Sequence, residues 1–203
     1  MRTVIPGRAA ATQLVSSCVI LGAGVTLLLR AAYGSDGYST LVSGLSTSAG
    51  VPFAVANSLV GIAFVLVAWR RGIIPGPGTI AQPVLVGVSV SIGLGLLSAP
   101  DGTVARVTLL LLALPTLCVG VAGYLGSGTG AAPAEALALS YDPPMPFRWG
   151  YSLVQFGGGL VGWALGASVG VGTFVAILML GPVVDGLLLR AGTLDRRPVA
   201  PVH

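Results

Sequence analysis

The chain has 203 residues, of which 54% are hydrophobic and only 8% charged, where a soluble domain carries about a quarter charged residues. That composition excludes a water-soluble globular fold, and 31 glycines without a G-X-Y period exclude collagen. Ten arginines and no lysine give a formal net charge of +4, but they are scattered at the ends of apolar runs with no basic patch and no interleaved aromatics, which excludes a nucleic-acid partner.

In chain order, Arg2 and Arg8 precede the first apolar run. That run is too long for the core of a signal peptide, so it reads as a retained first span. A membrane helix needs about 20 mostly apolar residues, and six segments qualify: 9–29, 51–69, 80–98, 107–125, 149–168 and 169–189. The first five carry no charge, and the sixth carries Asp185. The last two are joined by Gly166-Ala167-Ser168-Val169-Gly170-Val171-Gly172, a glycine density that favours a tight turn. Cys18 and Cys118 lie inside apolar runs without metal-type spacing and read as buried, inert thiols.

Arginine placement sets the orientation. With the N-terminus in the cytoplasm, the inner segments hold Arg2, Arg8, Arg70, Arg71, Arg148, Arg190, Arg196 and Arg197, and the outer ones only Arg30 and Arg106. Both termini are therefore expected in the cytoplasm.

A shift of 94 residues superposes much of the chain on itself. Pro52-Phe53 meets Pro146-Phe147, Ser58-Leu59-Val60 meets Ser152-Leu153-Val154, and Gly72 meets Gly166. Gly76 meets Gly170, Gly78-Thr79 meets Gly172-Thr173, and Gly87 meets Gly181. Upstream, Leu45-Ser46 meets Leu139-Ser140 and Gly34 meets Gly128. Each half reads as helix, long loop, helix, G-x-G-T turn, helix. Three spans is an odd number, so the second half enters the bilayer from the opposite side, as in many transporters. The expected fold is an all-α membrane protein, a single membrane domain over 1–203. Its first three-helix repeat is 9–98, its second, inverted repeat is 107–189, and 190–203 is a cytoplasmic tail.

The two long loops, 31–50 and 126–147, open with glycine and small residues and then carry a helix-compatible stretch too short to span. Such a stretch is either interfacial, covering a bundle end, or re-entrant. The re-entrant form requires that its backbone be buried in protein or line a watery cavity. In that form the half-helix ends converge near the midplane, with N-terminal amides available to an anionic or polar ligand.

The segment Gly34-Ser35-Asp36-Gly37-Tyr38-Ser39-Thr40-Leu41, with Gly44-Leu45 and Gly50 after it, resembles the LG-x-x-P-W-D-x-L-x-x-G-L…G element of the YczE/YyaS-like bacterial membrane protein family. Pro75-Gly76-Pro77-Gly78-Thr79…Gly87 and Gly170-Val171-Gly172-Thr173…Gly181-Pro182 resemble its two G-x-G-T…G elements. The likeness runs from about Val19 to Leu189. Gly37-Tyr38-Ser39 stands where the family has P-W-D, and Pro133-Ala134-Glu135-Ala136-Leu137 where it has P-R-D-G-L. Only the second loop thus keeps a carboxylate at the family's position. The resemblance implies an integral protein of a bacterial plasma membrane, with transport suspected.

Polar residues within or between the spans are the candidate substrate path, because intramembrane polar groups are costly. From the loops these are Ser35, Asp36, Tyr38, Ser39 and Glu135; from the spans, Asn57, Gln155 and Asp185. Gln82 also needs a partner. Asp185 lies about one turn from the inner end of its span, near Arg190, and reads more readily as an interfacial acid than as a path residue. Gly76, Gly78, Thr79, Gly170, Gly172 and Thr173 are structural turn residues. Gly158, Gly162 and Gly166 form a small-xxx-small stripe, a helix-packing face inside the bundle or across a homodimer.

The single histidine, His203, is the last residue. Histidine-based catalysis and histidine metal sites inside the fold are thereby excluded, and without lysine there is no P-loop. No enzyme activity, cofactor or metal is expected. The expected partners are the lipid bilayer, a small polar solute, and a second copy or another membrane protein. The leading functional expectation is a secondary transporter or permease. The alternative is a non-transporting partner that scaffolds or regulates another membrane or envelope protein. A channel is disfavoured by the lack of a polar pore stripe.

Overall fold

A computed structural model describes residues 7–190, Ala54 by its backbone alone; Arg2, Arg196, Arg197, His203 and the rest of the expected cytoplasmic tail lie outside the described residues. The described chain forms eight α-helices, α1 (Arg8–Ala31), α2 (Gly37–Ala49), α3 (Phe53–Arg70), α4 (Pro77–Leu96), α5 (Thr103–Gly126), α6 (Pro133–Leu139), α7 (Phe147–Ala164) and α8 (Val171–Arg190), and no strand occurs among the described residues. The helix lengths recur: 24 residues in α1 and α5, 18 in α3 and α7, 20 in α4 and α8. Both intervening helices are short, with 13 residues in α2 and seven in α6.

Local chemistry sets the boundaries. Asp36 caps α2 by accepting from the Ser39 amide, the N-cap role that favours short polar side chains. Thr79 Oγ accepts from the Gly76 amide at the start of α4, and Thr173 Oγ accepts from the Gly170 amide at the start of α8. Helices α3 and α7 end alike: Gly72 (φ 96°) and Gly166 (φ 93°) take the left-handed conformation. The next amides, Ile73 and Ala167, then donate back to Ala68 and Gly162, the closure for which glycine is suited. The expected spans 149–168 and 169–189 are therefore separated earlier and more widely, by residues 165–170.

Four helices, α1, α4, α5 and α8, are long and apolar enough to cross a bilayer. Helix α3 has a shorter apolar stretch, Val55–Arg70. Helix α7 carries Arg148, Ser152 and Gln155 and is less apolar. The outer surface is made of large apolar side chains, with Leu96 85%, Val104 81% and Leu178 71% exposed. Exposed patches on that scale mark lipid as the solvent.

The most extensive packing is α1 against α5. It is made by knobs into glycine gaps: a Cβ at Gly120 would meet Leu21, and one at Gly24 would meet Leu117. Gly24 and Leu21 each lie 96 residues before their counterparts, Gly120 and Leu117. The two glycine turns dock reciprocally as well. The Gly78 amide donates to the Thr129 carbonyl and the Gly172 amide to the Tyr33 carbonyl, both at 2.8 Å. Gly130 lies against Gly76, and Gly34 against Gly170. Contacts thus relate the halves by 96 residues through the first long helix and its turn, pairing Gly34 with Gly130 rather than Gly128. From α3 onward the shift is 94.

Helix α2 crosses α7 backbone to backbone. A Cβ at Gly37 would fall on the Gln155 carbonyl, one at Gly162 on the Thr40 carbonyl, and one at Gly44 on Gly162. Gly158 likewise faces the Gly37 carbonyl. Gly158 and Gly162 therefore pack inside the bundle. Gly166 does not belong to this stripe: it is a turn residue with open space where its Cβ would stand.

One pair of equivalent contacts is unequal. Helices α7 and α8 pack together, whereas α3 and α4 barely touch. A Cβ at Gly181 on α8 would strike the Arg148 carbonyl and Ser152 of α7, while Gly87, its counterpart on α4, faces open space.

Replacing Gly162 by valine should lower stability by about 1–3 kcal/mol or more, since overpacking a tight contact forces backbone shifts. Gly157→Ala, at a site with no neighbour within 4 Å, should change it by less than about 0.5 kcal/mol. Thermal unfolding in detergent compares the two, and equal stabilities would refute the close α2–α7 contact.

Candidate functional site

The gap between α3 and α4 opens into a cavity of about 830 Å³, within the size range of small-molecule sites. Most of its wall is apolar, supplied by α1, α4 and α5 through residues such as Leu21, Val25, Val86, Val90 and Leu117. Its polar groups are concentrated where the N-terminal ends of α2 and α6 meet α3 and α7: Asp36, Tyr38, Asn57, Glu135, Tyr151 and Gln155.

Asp36 is 7% exposed and fixed by its own helix, its Oδ2 accepting from the Ser39 amide at 3.2 Å. Thr40 Oγ donates back to the Asp36 carbonyl at 2.9 Å and lies 3.0 Å from Ser35 Oγ, so this turn is tied internally. Gln155 is 1% exposed and reaches across from α7, its Oε1 accepting from the Tyr38 amide at 2.9 Å. Tyr38 turns its ring edge-on to Phe64 at 5.8 Å and its hydroxyl toward the Asn57 carbonyl at 3.4 Å. The amide end of α2 is thus occupied by side chains of this chain.

Glu135 sits in the first turn of α6, 5% exposed, and its Oε1 accepts from the Tyr151 hydroxyl at 2.8 Å. Tyr151 in turn stacks on Phe147 at 5.4 Å. The Tyr124 hydroxyl, fully buried on α5, makes no hydrogen bond of ordinary geometry but faces Glu135 and Tyr151 closely enough to interact with both. The two carboxyl groups also lie within electrostatic range of one another. Among the described residues no arginine lines the cavity. Arg30 donates to the Leu94 carbonyl, tying the ends of α1 and α4, and Arg71 donates to the Ser140 carbonyl and covers the Tyr141 ring at 3.9 Å.

Of the sequence-derived path residues, Asp36, Tyr38, Ser39, Asn57, Glu135 and Gln155 line this one cavity, as does Gln82. Ser35 lies buried behind it, bonded to Thr40, and Asp185 is half-buried on α8 and does not line it. Sequence reasoning missed Tyr151, whose signal was its place one turn before Gln155 on the same helix face. It also missed Tyr124, for which no sequence signal existed. A carboxylate absent at Ser39 returns three residues earlier: Asp36, through its cap on Ser39, brings an acid to the same helix end. Among the described residues no group of three or more His, Cys, Asp or Glu could hold a metal ion.

Residues 10–188 match a family described as a family of unknown function, DUF6198. The chain belongs to that family. It is also similar to an uncharacterized protein of Haemophilus influenzae, at 24% identity over 177 residues, 86% of this chain and 81% of that protein. No solved structure matches it.

Tyr151→Phe removes a hydrogen-bond donor from Glu135, and a buried acceptor left unpaired costs about 1–3 kcal/mol. Chemical denaturation in mild detergent should show that loss. Tyr141→Phe, at a site 39% exposed, should leave stability within about 0.5 kcal/mol.

Proposed function

We propose that this DUF6198 protein is a small secondary transporter or permease of a bacterial plasma membrane. It has six spans in two inverted halves, both termini cytoplasmic, and carries a small polar solute through the α3–α4 cavity. The cavity, seated where two short helices from different halves meet, carries the proposal: it combines an apolar wall with a cluster of buried polar groups, the composition of a solute site.

Three further observations support the reading. First, the contacts are reciprocal: Leu21 in Gly120 and Leu117 in Gly24, Gly78 on Thr129 and Gly172 on Tyr33. Reciprocity of that kind is the mark of a two-fold axis. With α1, α3 and α4 spanning in one half and α5, α7 and α8 in the other, each half crosses an odd number of times, and the axis lies in the membrane plane. Second, Trp69 and Trp163 end α3 and α7 and are more than half exposed. In the inverted arrangement they fall at opposite membrane interfaces, where tryptophan is enriched. Third, the unequal closure of α3–α4 and α7–α8 is the asymmetry an alternating-access protein requires: one half open, its twin shut. Exchange of the two arrangements moves the opening to the other face. The likeness of the loop and turn motifs to the YczE/YyaS-like proteins agrees with this assignment.

In the exchanged state Gly87 packs on α3 as Gly181 packs on α7, beside Ser58, the counterpart of Ser152. A Ser58→Cys/Gly87→Cys pair, made with Cys18 and Cys118 replaced by serine, should form a disulfide under mild oxidation. The bond should stop uptake of solutes into proteoliposomes, and reduction should restore it. A pair that never crosslinks, in a chain that moves nothing from a broad solute panel, leaves the scaffolding alternative in its place.

A further inference from the structure

We infer that the ligand of this cavity is an organic cation, an ammonium or quaternary ammonium group on an apolar body. The inference rests on the transporter reading for its site, but it concerns the charge of what the site takes.

Two carboxyl side chains, Asp36 and Glu135, are more than nine-tenths buried and both line the cavity. Burying a carboxylate is costly unless a positive charge or a full set of donors accompanies it. The first condition is not met: no arginine lines the cavity among the described residues. The donors around the acids are neutral, the first-turn amides and Ser39 at Asp36, the Tyr151 hydroxyl with Tyr124 beside it at Glu135. The two acids also repel one another. A bound cation between them supplies the missing charge and relieves that repulsion.

A second, independent observation lies behind Glu135. The Tyr124 hydroxyl is 0% exposed, faces Glu135 and Tyr151, and makes no hydrogen bond of ordinary geometry. A buried polar group without a partner calls for a missing water, ion or ligand group.

The rest of the wall describes the body of the ligand. Tyr38, Tyr151 and Phe53 line the cavity, and aromatic rings attract cations, quaternary ammonium groups in particular. The α4 side is mostly apolar, through residues such as Val84, Val88 and Ile92, with Gln82 and Ser91 as its polar groups. An anion finds neutral donors here but no positive charge among the described residues. The α2 amides are held by Asp36 and Gln155, and the ligand expected from half-helix dipoles alone, an anionic one, would meet two carboxylates.

The test is a charge series on the full-length chain in detergent. Tetramethylammonium, benzyltrimethylammonium and tetrapropylammonium are compared with benzoate and benzyl alcohol by thermal shift and isothermal titration. At least one ammonium ion should bind saturably, benzoate and benzyl alcohol should not, and the double variant Asp36→Asn/Glu135→Gln should weaken ammonium binding at least about tenfold, as expected for loss of desolvated charge pairs. Thr108→Ala, exposed on α5 and outside the cavity lining, should keep the affinity. Binding of benzoate or benzyl alcohol in preference to all three ammonium ions overturns the inference, as does ammonium binding that survives the double variant. Should that variant not fold, the charge series on the unaltered chain decides alone: no saturable ammonium binding overturns the inference. Uptake into proteoliposomes separates the two readings. Transport of benzoate or benzyl alcohol but of no ammonium ion sinks the cation inference and keeps the transporter. Saturable ammonium binding with no transport of any probe keeps the cation site and sinks the transporter.

Discussion

The backbone-to-backbone crossing of α2 and α7 is the contact on which the site depends. Helix α2 is too short to span a bilayer, yet it is held against the centre of a helix bundle. Glycines at 37, 44, 158 and 162 leave no Cβ at the points of closest approach, so that Gly37 rests on the Gln155 carbonyl and Gly162 on the Thr40 carbonyl. At that separation the Gln155 side chain reaches the Tyr38 amide. The start of α2, with Asp36 and Tyr38, is thereby fixed beside the cavity. In lipid, close approach of this kind replaces the hydrophobic drive that packs helices in water.

Glycine does related work in two other places. In α1 and α5 each helix offers a glycine gap to a leucine of the other, which brings the two longest helices into contact along their length. In the two G-x-G-T turns, the first glycine is bonded to the threonine hydroxyl and the second to a carbonyl of the opposite half. These turns anchor the starts of α4 and α8. Since both are anchored alike, the difference between them arises further along: α8 lies on α7 through Gly181, and α4 stands away from α3 at Gly87. Pro83 lies inside α4 and on the cavity wall, where α8 has Ile177 at the counterpart position. A proline inside a helix deletes one hydrogen bond, and α8 has its own at Pro182, so the two helices are weakened at different positions.

The polar cluster shows how a site survives change in its sequence signature. The second half holds its carboxylate at the third position of its short helix, Glu135. The first half has serine at the matching place, Ser39, and carries the acid at the cap, Asp36. A cap side chain folds back over the first turn, so both acids reach the same cavity although their positions in the motif differ.

Composition and periodicity determined that the chain is helical and apolar. Uncharged runs of about 20 residues leave a backbone no alternative to internal hydrogen bonding in lipid, and glycine-rich turns between such runs can be read directly. The division into two similar halves was legible for the same reason: Gly76, Gly78, Thr79 and their counterparts are needed for backbone conformation and close docking, which few other residues satisfy. The 96-residue register of the first helices was not legible, because it shows only in which leucine enters which glycine gap. Nor did the sequence reveal that Tyr151 and Tyr124 attend Glu135, that Asp185 lies off the cavity, or that α4 stands open while α8 is closed. Those facts depend on which faces meet across a hundred residues of chain, and no local pattern encodes those contacts.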